Sequence, residues 1–146
     1  MSIPQTYDVI DYLVAKKTID DRSLNCIVWG RLQDALADHE TKESLRVLEI
    51  GSGVGTMIER MAAGPLMHRS SQYTAVDINP ECTRSAWRRL SRWAKRQGFA
   101  VTREKDACHL LAAGDTRIRV NLITDDAYAL VSEAAPHSWD LLLANA

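Results

Sequence analysis

The run Leu45-Arg-Val-Leu-Glu-Ile-Gly-Ser-Gly-Val-Gly55 constrains this chain more than any other segment, because it reads as a strand passing directly into a glycine loop. Leu45, Val47, Leu48 and Ile50 supply a short apolar run typical of a parallel strand covered on both faces. Gly51, Gly53 and Gly55 let the backbone turn sharply beside a ligand, and a helix follows from about Val54 to Ala63, closed by Gly64-Pro65. Strand, glycine loop and helix in that order form a nucleotide-handling joint and commit the chain to α/β layering.

Which nucleotide the joint suits depends on the residues around the glycines. A dinucleotide fingerprint needs a third glycine three residues after the second, for close helix packing, and Thr56 stands there instead. Glu49 precedes the first glycine at the carboxyl end of the strand, where its carboxylate is expected to face the ligand crevice. That charge is awkward beside a pyrophosphate, which such loops hold with N–H groups and a helix dipole. It suits a ligand carrying an ammonium and a sulfonium cation.

Glu49-x-Gly51-x-Gly53-x-Gly55 resembles the first motif of class I S-adenosylmethionine-dependent methyltransferases. The resemblance implies a Rossmann-like fold, a mostly parallel sheet with flanking helices, and S-adenosyl-L-methionine held by Glu49, Gly51, Ser52, Gly53 and Gly55. Tyr73-Thr-Ala-Val-Asp-Ile78 is a second apolar strand, and its Asp77, with Ile78 beside it, stands where such sites hold ribose hydroxyls by charge-assisted hydrogen bonds. Arg117 to Thr124 reads as a third strand followed by Asp125, Asp126 and Ala127, placed as the family places its adenine contacts. Asp125 is the better ligand candidate, since Asp126 can equally cap the helix starting near Ala127. A fourth strand, Trp139 to Ala144, runs into Asn145, near where the family meets the transferred methyl. The resemblance covers Leu45 to Ala146, and the family's core sheet continues past a fourth strand. The expected edge at Leu141-Leu-Leu-Ala-Asn145 is therefore open, which implies a truncated chain or a second chain, a copy of this one or a partner, covering it.

At 146 residues and 46% hydrophobic, the chain supports one core, with residues 1–42 as an N-terminal helical extension and 43–146 as an incomplete Rossmann-like domain. Its net charge of −1 gives no global attraction to nucleic acid or anionic membrane. Cys26, Cys82 and Cys108 are widely spaced, so neither a metal site nor a disulfide framework is expected. With no basic-then-apolar leader and no membrane-length apolar run, the expected setting is cytoplasmic.

The extension predicts a short helix or arm before Lys17, then an amphipathic helix capped by Asp20 or Asp21, with Leu24, Ile27, Val28, Leu32, Ala35 and Leu36 at helical spacing. Extensions of this kind often cover the cofactor or shape the substrate pocket in the resembling family, which makes Tyr7, Tyr12 and Trp29 candidates, although core or staple packing is the favoured reading of them. Asn79, Pro80 and Glu81 start another helix that Gly98 stops. Arg84, Arg88, Arg92 and Arg96 stand four residues apart on it, with Arg89 and Lys95 beside them, and Ala86, Leu90, Trp93 and Ala94 can face the sheet. That ridge could touch RNA, but the near-neutral total favours a solvated face offset by acids elsewhere. Phe99 to Arg103 and His109 to Ala113 predict a small β insertion before the third strand, against the sheet edge or folded over it. Cys108 and His109 are sequence neighbours, which on a strand point to opposite faces and make a poor nucleophile and base pair. His68 and His137 fall in expected loops with no partner in view.

Three functions fit these residues: the cofactor-binding half of an S-adenosylmethionine-dependent methyltransferase with an unidentified acceptor, an NAD-type Rossmann domain, and a non-catalytic methyltransferase-like assembly module. Thr56 and Glu49 argue against the second, and the open edge is what favours the third.

Overall fold

A computed structural model describes residues 8–37, 44–64, 66–67, 70–105, 107–111 and 116–144; Tyr7, His68 and Asn145 lie outside them. Strand β1 (Leu45–Ile50) lies between β2 (Ser70–Asp77) and β6 (Leu141–Ala144), and all three run parallel. On the far side of β2, strand β5 (Arg117–Thr124) is also parallel. Strands β3 (Ala100–Arg103) and β4 (Ala107–Leu111) continue the sheet antiparallel, giving the order β3-β4-β5-β2-β1-β6. The insertion between the second and third core strands therefore extends the sheet edge, because β4 of its hairpin pairs backbone to backbone with β5 and satisfies the ladder on that side of β5.

Burial follows the strand periodicities. Val47, Leu48 and Glu49 of central β1 are all fully buried, whereas β2 and β5 alternate: Ser71, Tyr73 and Ala75, and Ile118, Val120 and Leu122, point into one core. Helices α3 (Thr56–Ala63) and α4 (Pro80–Arg96) pack side by side over that face, contributing Ile58 and Met61, and Ala86, Leu90 and Ala94. The start of α4 is built as its sequence predicts. Asn79 accepts a hydrogen bond from the Glu81 amide, Pro80 sits where no backbone donor is needed, and Gly98 takes φ +86 just beyond the last turn. Strand β6 is registered by Asp140, whose carboxylate receives the Arg46 amide (2.8 Å) and its guanidinium (2.9 and 3.1 Å) at the opposite end of β1 from the glycine loop.

The N-terminal region departs from its expected boundaries. One helix, α1 (Val9–Ser23), runs through Asp20 and Asp21, and the next, α2 (Cys26–Ala37), is capped by Asn25, whose Oδ1 receives the amides of Ile27 and Val28. Asp20 and Asp21 do not cap because each has a cation one turn back: Lys16 at 3.9 Å and Lys17 at 2.6 Å. No residue of α1 is buried, while Trp29, Leu32 and Leu36 of α2 pack against the core. Helix α5 (Ala127–Glu133) joins β5 to β6, and no helix among the described residues is long and apolar enough to cross a membrane.

Leu90 is 2% exposed between α4 and the sheet, and Arg92 on the same helix faces solvent. Leu90→Ala is expected to lower unfolding stability by about 2–5 kcal/mol in urea titrations, and Arg92→Ala to change it by less than about 0.5 kcal/mol.

Candidate functional site

The strand order reverses beside β1: the chain leaves β1 for β2 on one side and reaches β6 on the other only later. In open α/β sheets this is where ligands bind, at the carboxyl ends of the strands. The glycine loop lies at that end. Gly55 has φ +81, and a Cβ there would stand 3.3 Å from Ala86 Cβ of α4, so the position needs glycine for both conformation and space. The glycine that permits close helix approach thus serves α4, the helix after the second strand.

Asp77 organises the site. Its Oδ2 accepts the Gly53 amide and its Oδ1 the Asn79 amide, both at 2.8 Å, while its carbonyl accepts the Asp125 amide at 3.2 Å. The Gly51 and Ser52 amides donate to the Val76 carbonyl (3.0 and 3.1 Å), and the Gly55 amide to the Ser52 carbonyl at 3.0 Å. Four amides of the loop are therefore engaged within the protein. Thr124 at the end of β5 donates its hydroxyl to Thr83 of α4 at 2.8 Å, which brings the third strand end to the same corner.

A cleft of about 220 Å³ opens there, lined by Ile50, Gly51, Val76, Asp77, Ile78, Asp125, Asp126 and Ala127. Six of the expected contacts, Gly51, Asp77, Ile78, Asp125, Asp126 and Ala127, are thus brought together. Ile78 is 75% exposed at its rim. Asp126 caps α5, its Oδ1 receiving the Tyr128 amide at 2.7 Å, so the capping alternative holds while its residue still edges the cleft. Asp125 Oδ1 receives the Asp126 amide at 2.7 Å. A second cleft of about 350 Å³ also touches Gly51 and runs beneath α1, between Leu13, Lys16, Asp20, Ser23 and Leu24 and the residues Ser52, Gly53, Val54, Thr56, Met57 and Arg60. Leu13 reaches close enough that a Cβ on Gly53 would lie 3.4 Å from its Cδ1.

Two expectations are corrected. Glu49 does not face the crevice: it is 0% exposed, beneath the loop, and receives the Tyr73 phenol at 2.8 Å. With β1 covered on both faces there is no open side for its carboxylate, and Tyr73, on the same face of β2 two residues before Ala75, the register partner of Glu49, supplies a donor that a buried anion requires. The extension does cover the glycine loop, but through Leu13, Lys16, Asp20 and Leu24; Tyr12 is 56% exposed and Trp29 packs on the core. Leu13, Lys16 and Asp20 of α1, and Leu24 just beyond it, are not legible as loop-covering residues in the sequence, because the expected break near Lys17 hides the continuity of α1 and the phase of its faces.

No protein-family model matches the chain, and no curated protein matches it. Among solved structures the chain is similar to the plantazolicin methyltransferase BpumL in complex with S-adenosylhomocysteine, at 16% identity and a TM-score of 0.45, over 94% of this chain and 42% of that one. It is also similar to an S-adenosylmethionine-dependent methyltransferase from Thiobacillus denitrificans in complex with S-adenosylhomocysteine, at 20% identity and a TM-score of 0.44, over 99% and 44%. The chain spans less than half the length of either protein.

Chemically, the corner presents oxygen acceptors and few groups able to attack. Cys82 is buried on the first turns of α4, and burial, with Asp77 and Glu81 nearby, pushes its thiol up and keeps it protonated. Cys108 and His109 are consecutive residues of β4, out on the hairpin side of the sheet. Burial, reinforced by Glu49, also holds the Tyr73 phenol well above its ordinary value. Its proton therefore stabilises the fold below the unfolded phenol value, and that contribution is lost as pH rises through the folded value. Tyr73→Phe is expected to cost about 1.5–3 kcal/mol at neutral pH, since it removes a hydrogen bond to a buried charge. Urea titrations across the alkaline range should show wild-type stability converging toward that of the variant above about pH 10; a constant gap would reject this role for the phenol.

Proposed function

We propose that this chain is the S-adenosylmethionine-binding half of a methyltransferase. The observation that carries the reading is the charge of the cleft at the switch point. Among the described residues it is lined by three carboxylates, Asp77, Asp125 and Asp126, and by no basic side chain, beside a loop with four amides already bonded. A pyrophosphate would meet repulsion and find few free donors. A nucleoside with ribose hydroxyls and an exocyclic amino group supplies donors that carboxylates accept.

Asp77 would take the ribose, using lone pairs left after the Gly53 and Asn79 bonds, and Asp125 the adenine amino group, with Ile78 against the base. The cleft under α1 has mixed charge, Asp20 against Lys16 and Arg60, which suits the zwitterionic amino-acid end of the same ligand. Glu49 acts from below by holding Tyr73 and the strand end in place. Bound there, S-adenosylmethionine supplies a methyl group to an acceptor by in-line displacement. The contribution of these residues is positioning and exclusion of water.

Thermal shift with S-adenosylmethionine, S-adenosylhomocysteine and NAD tests the reading. Both sulfur compounds are expected to raise Tm, by the equivalent of about 2.7 kcal/mol at a hundredfold excess over Kd. Asp77→Ala, compared with its own ligand-free Tm, should lose that increment. A response to NAD alone would establish a dinucleotide domain instead, and no response to any of the three would reject cofactor binding by this chain, favouring a non-catalytic assembly module or an incomplete site.

A further inference from the structure

The basic ridge of α4 is not neutralised where it stands. The helix carries Arg84, Arg88, Arg89, Arg92, Lys95 and Arg96 against the single acid Glu81, a net charge of +5 in a protein whose total is −1, so the rest of the chain carries −6. Near-neutrality is thus a global sum over a strongly divided distribution. Arg84 has Glu81 at 3.6 Å and Arg89 has buried Glu59 at 3.4 Å. Arg88 and Arg92 make no ion pair among the described residues, and Arg92 Nε donates to the Arg88 carbonyl at 3.3 Å.

Arg84, Arg88, Arg92 and Arg96 are all exposed. At the α-helical rise they stand about 6 Å apart along some 18 Å, so each lies within a Debye length of the next and their fields add. Beside the ridge a recess of about 180 Å³ is lined by Arg89, Arg92, Arg96 and Glu59, three guanidiniums to one carboxylate. Guanidinium forks match phosphate oxygens in pairs, and five of the six cations are arginine. The ridge begins about one and a half turns from the Asn79 cap, whose amide is held by Asp77.

From this charge division and the recess we infer that α4 docks a nucleic-acid strand by its phosphate backbone. The strand lies along Arg84, Arg88, Arg92 and Arg96, with one phosphate in the recess between Arg89, Arg92 and Arg96. An anionic membrane is disfavoured because a helix that lies in a lipid interface needs an exposed apolar face, and none of the exposed large hydrophobic residues belongs to α4. Contacts of this kind read backbone and not base, so binding is sequence-tolerant and steeply salt-dependent.

Fluorescence anisotropy with a labelled single-stranded RNA, titrated with the intact chain at several salt concentrations, tests the inference. The expected result is binding that weakens linearly in log–log form, with a slope of about −0.7 per phosphate contact. Arg88→Ala with Arg92→Ala should reduce the magnitude of the slope by about 1.4, while Arg88→Lys with Arg92→Lys keeps most of it, because charge is retained. Thermal melts of both double variants serve as the folding check, and the exposure of the two positions predicts unchanged unfolding. Absence of binding at low salt, or an unchanged affinity and slope in the alanine variant, overturns the inference. So does binding to phosphatidylserine vesicles without binding to RNA.

Discussion

The carboxylate of Asp77 is the constraint on which the site depends. One oxygen holds the amide of Gly53 in the loop after β1, and the other holds the amide of Asn79, which caps α4. The same residue's carbonyl holds the amide of Asp125 after β5. Three loops from three parallel strands therefore share one anchor. Each carboxylate oxygen has a second lone pair, so the residue that builds the corner can also meet a ligand hydroxyl without giving up what it holds.

Acidic side chains are graded by depth around that anchor. Glu49 is sealed beneath the loop and the Tyr73 phenol reaches it from within; Asp77 is half-buried with two amides; Asp125 and Asp126 are exposed at the rim. Burying a charge is tolerable only with hydrogen-bond donors around it, which accounts for a tyrosine at Tyr73 on the inward face of β2. The deep acid fixes strand ends, and the shallow ones leave the cleft negative. Both follow from parallel strands terminating together at one level.

Much of this was legible in the sequence because its signals were local. The glycine loop, the Asn79-Pro80-Glu81 start of α4 and its Gly98 stop, and the limits of β1 and β5 each depend on residues within one turn or one strand. Signals that depend on distant partners were less legible. Asp20 and Asp21 look like caps until Lys16, Lys17 and Arg60 are seen to bind them. The depth of Glu49 depends on what covers β1, and a strand's own sequence does not reveal whether its last acid opens to solvent. A hairpin such as β3–β4 carries the same pattern whether it extends a sheet or folds over it, and only the vacant edge of β5 decides. Near-neutral net charge likewise hid the division between α4 and the remainder.

Helix α1 covers the glycine loop without burying a single residue, so apolar burial does not hold it there. Its attachments are Leu13 against Gly53 and an ionic cluster: Asp21 receives Lys17 and Arg60, and Lys17 stands 3.9 Å from Glu59, which Arg89 of α4 also approaches. Although burial pushes the Asp21 carboxyl up, the hydrogen bonds from Lys17 and Arg60 hold it below its usual range, so the cluster is intact at neutral pH. Burial dominates at Glu59 and pushes it up, against the pull of Arg89, Lys17 and Arg96. Partly exposed pairs contribute only about 0–1 kcal/mol each. The cover over the loop is thus weakly held, while α3 and α4 are fixed by the core. A ligand entering the cleft under α1 has to displace only these contacts, and the strand ends that receive it stay where Asp77 sets them.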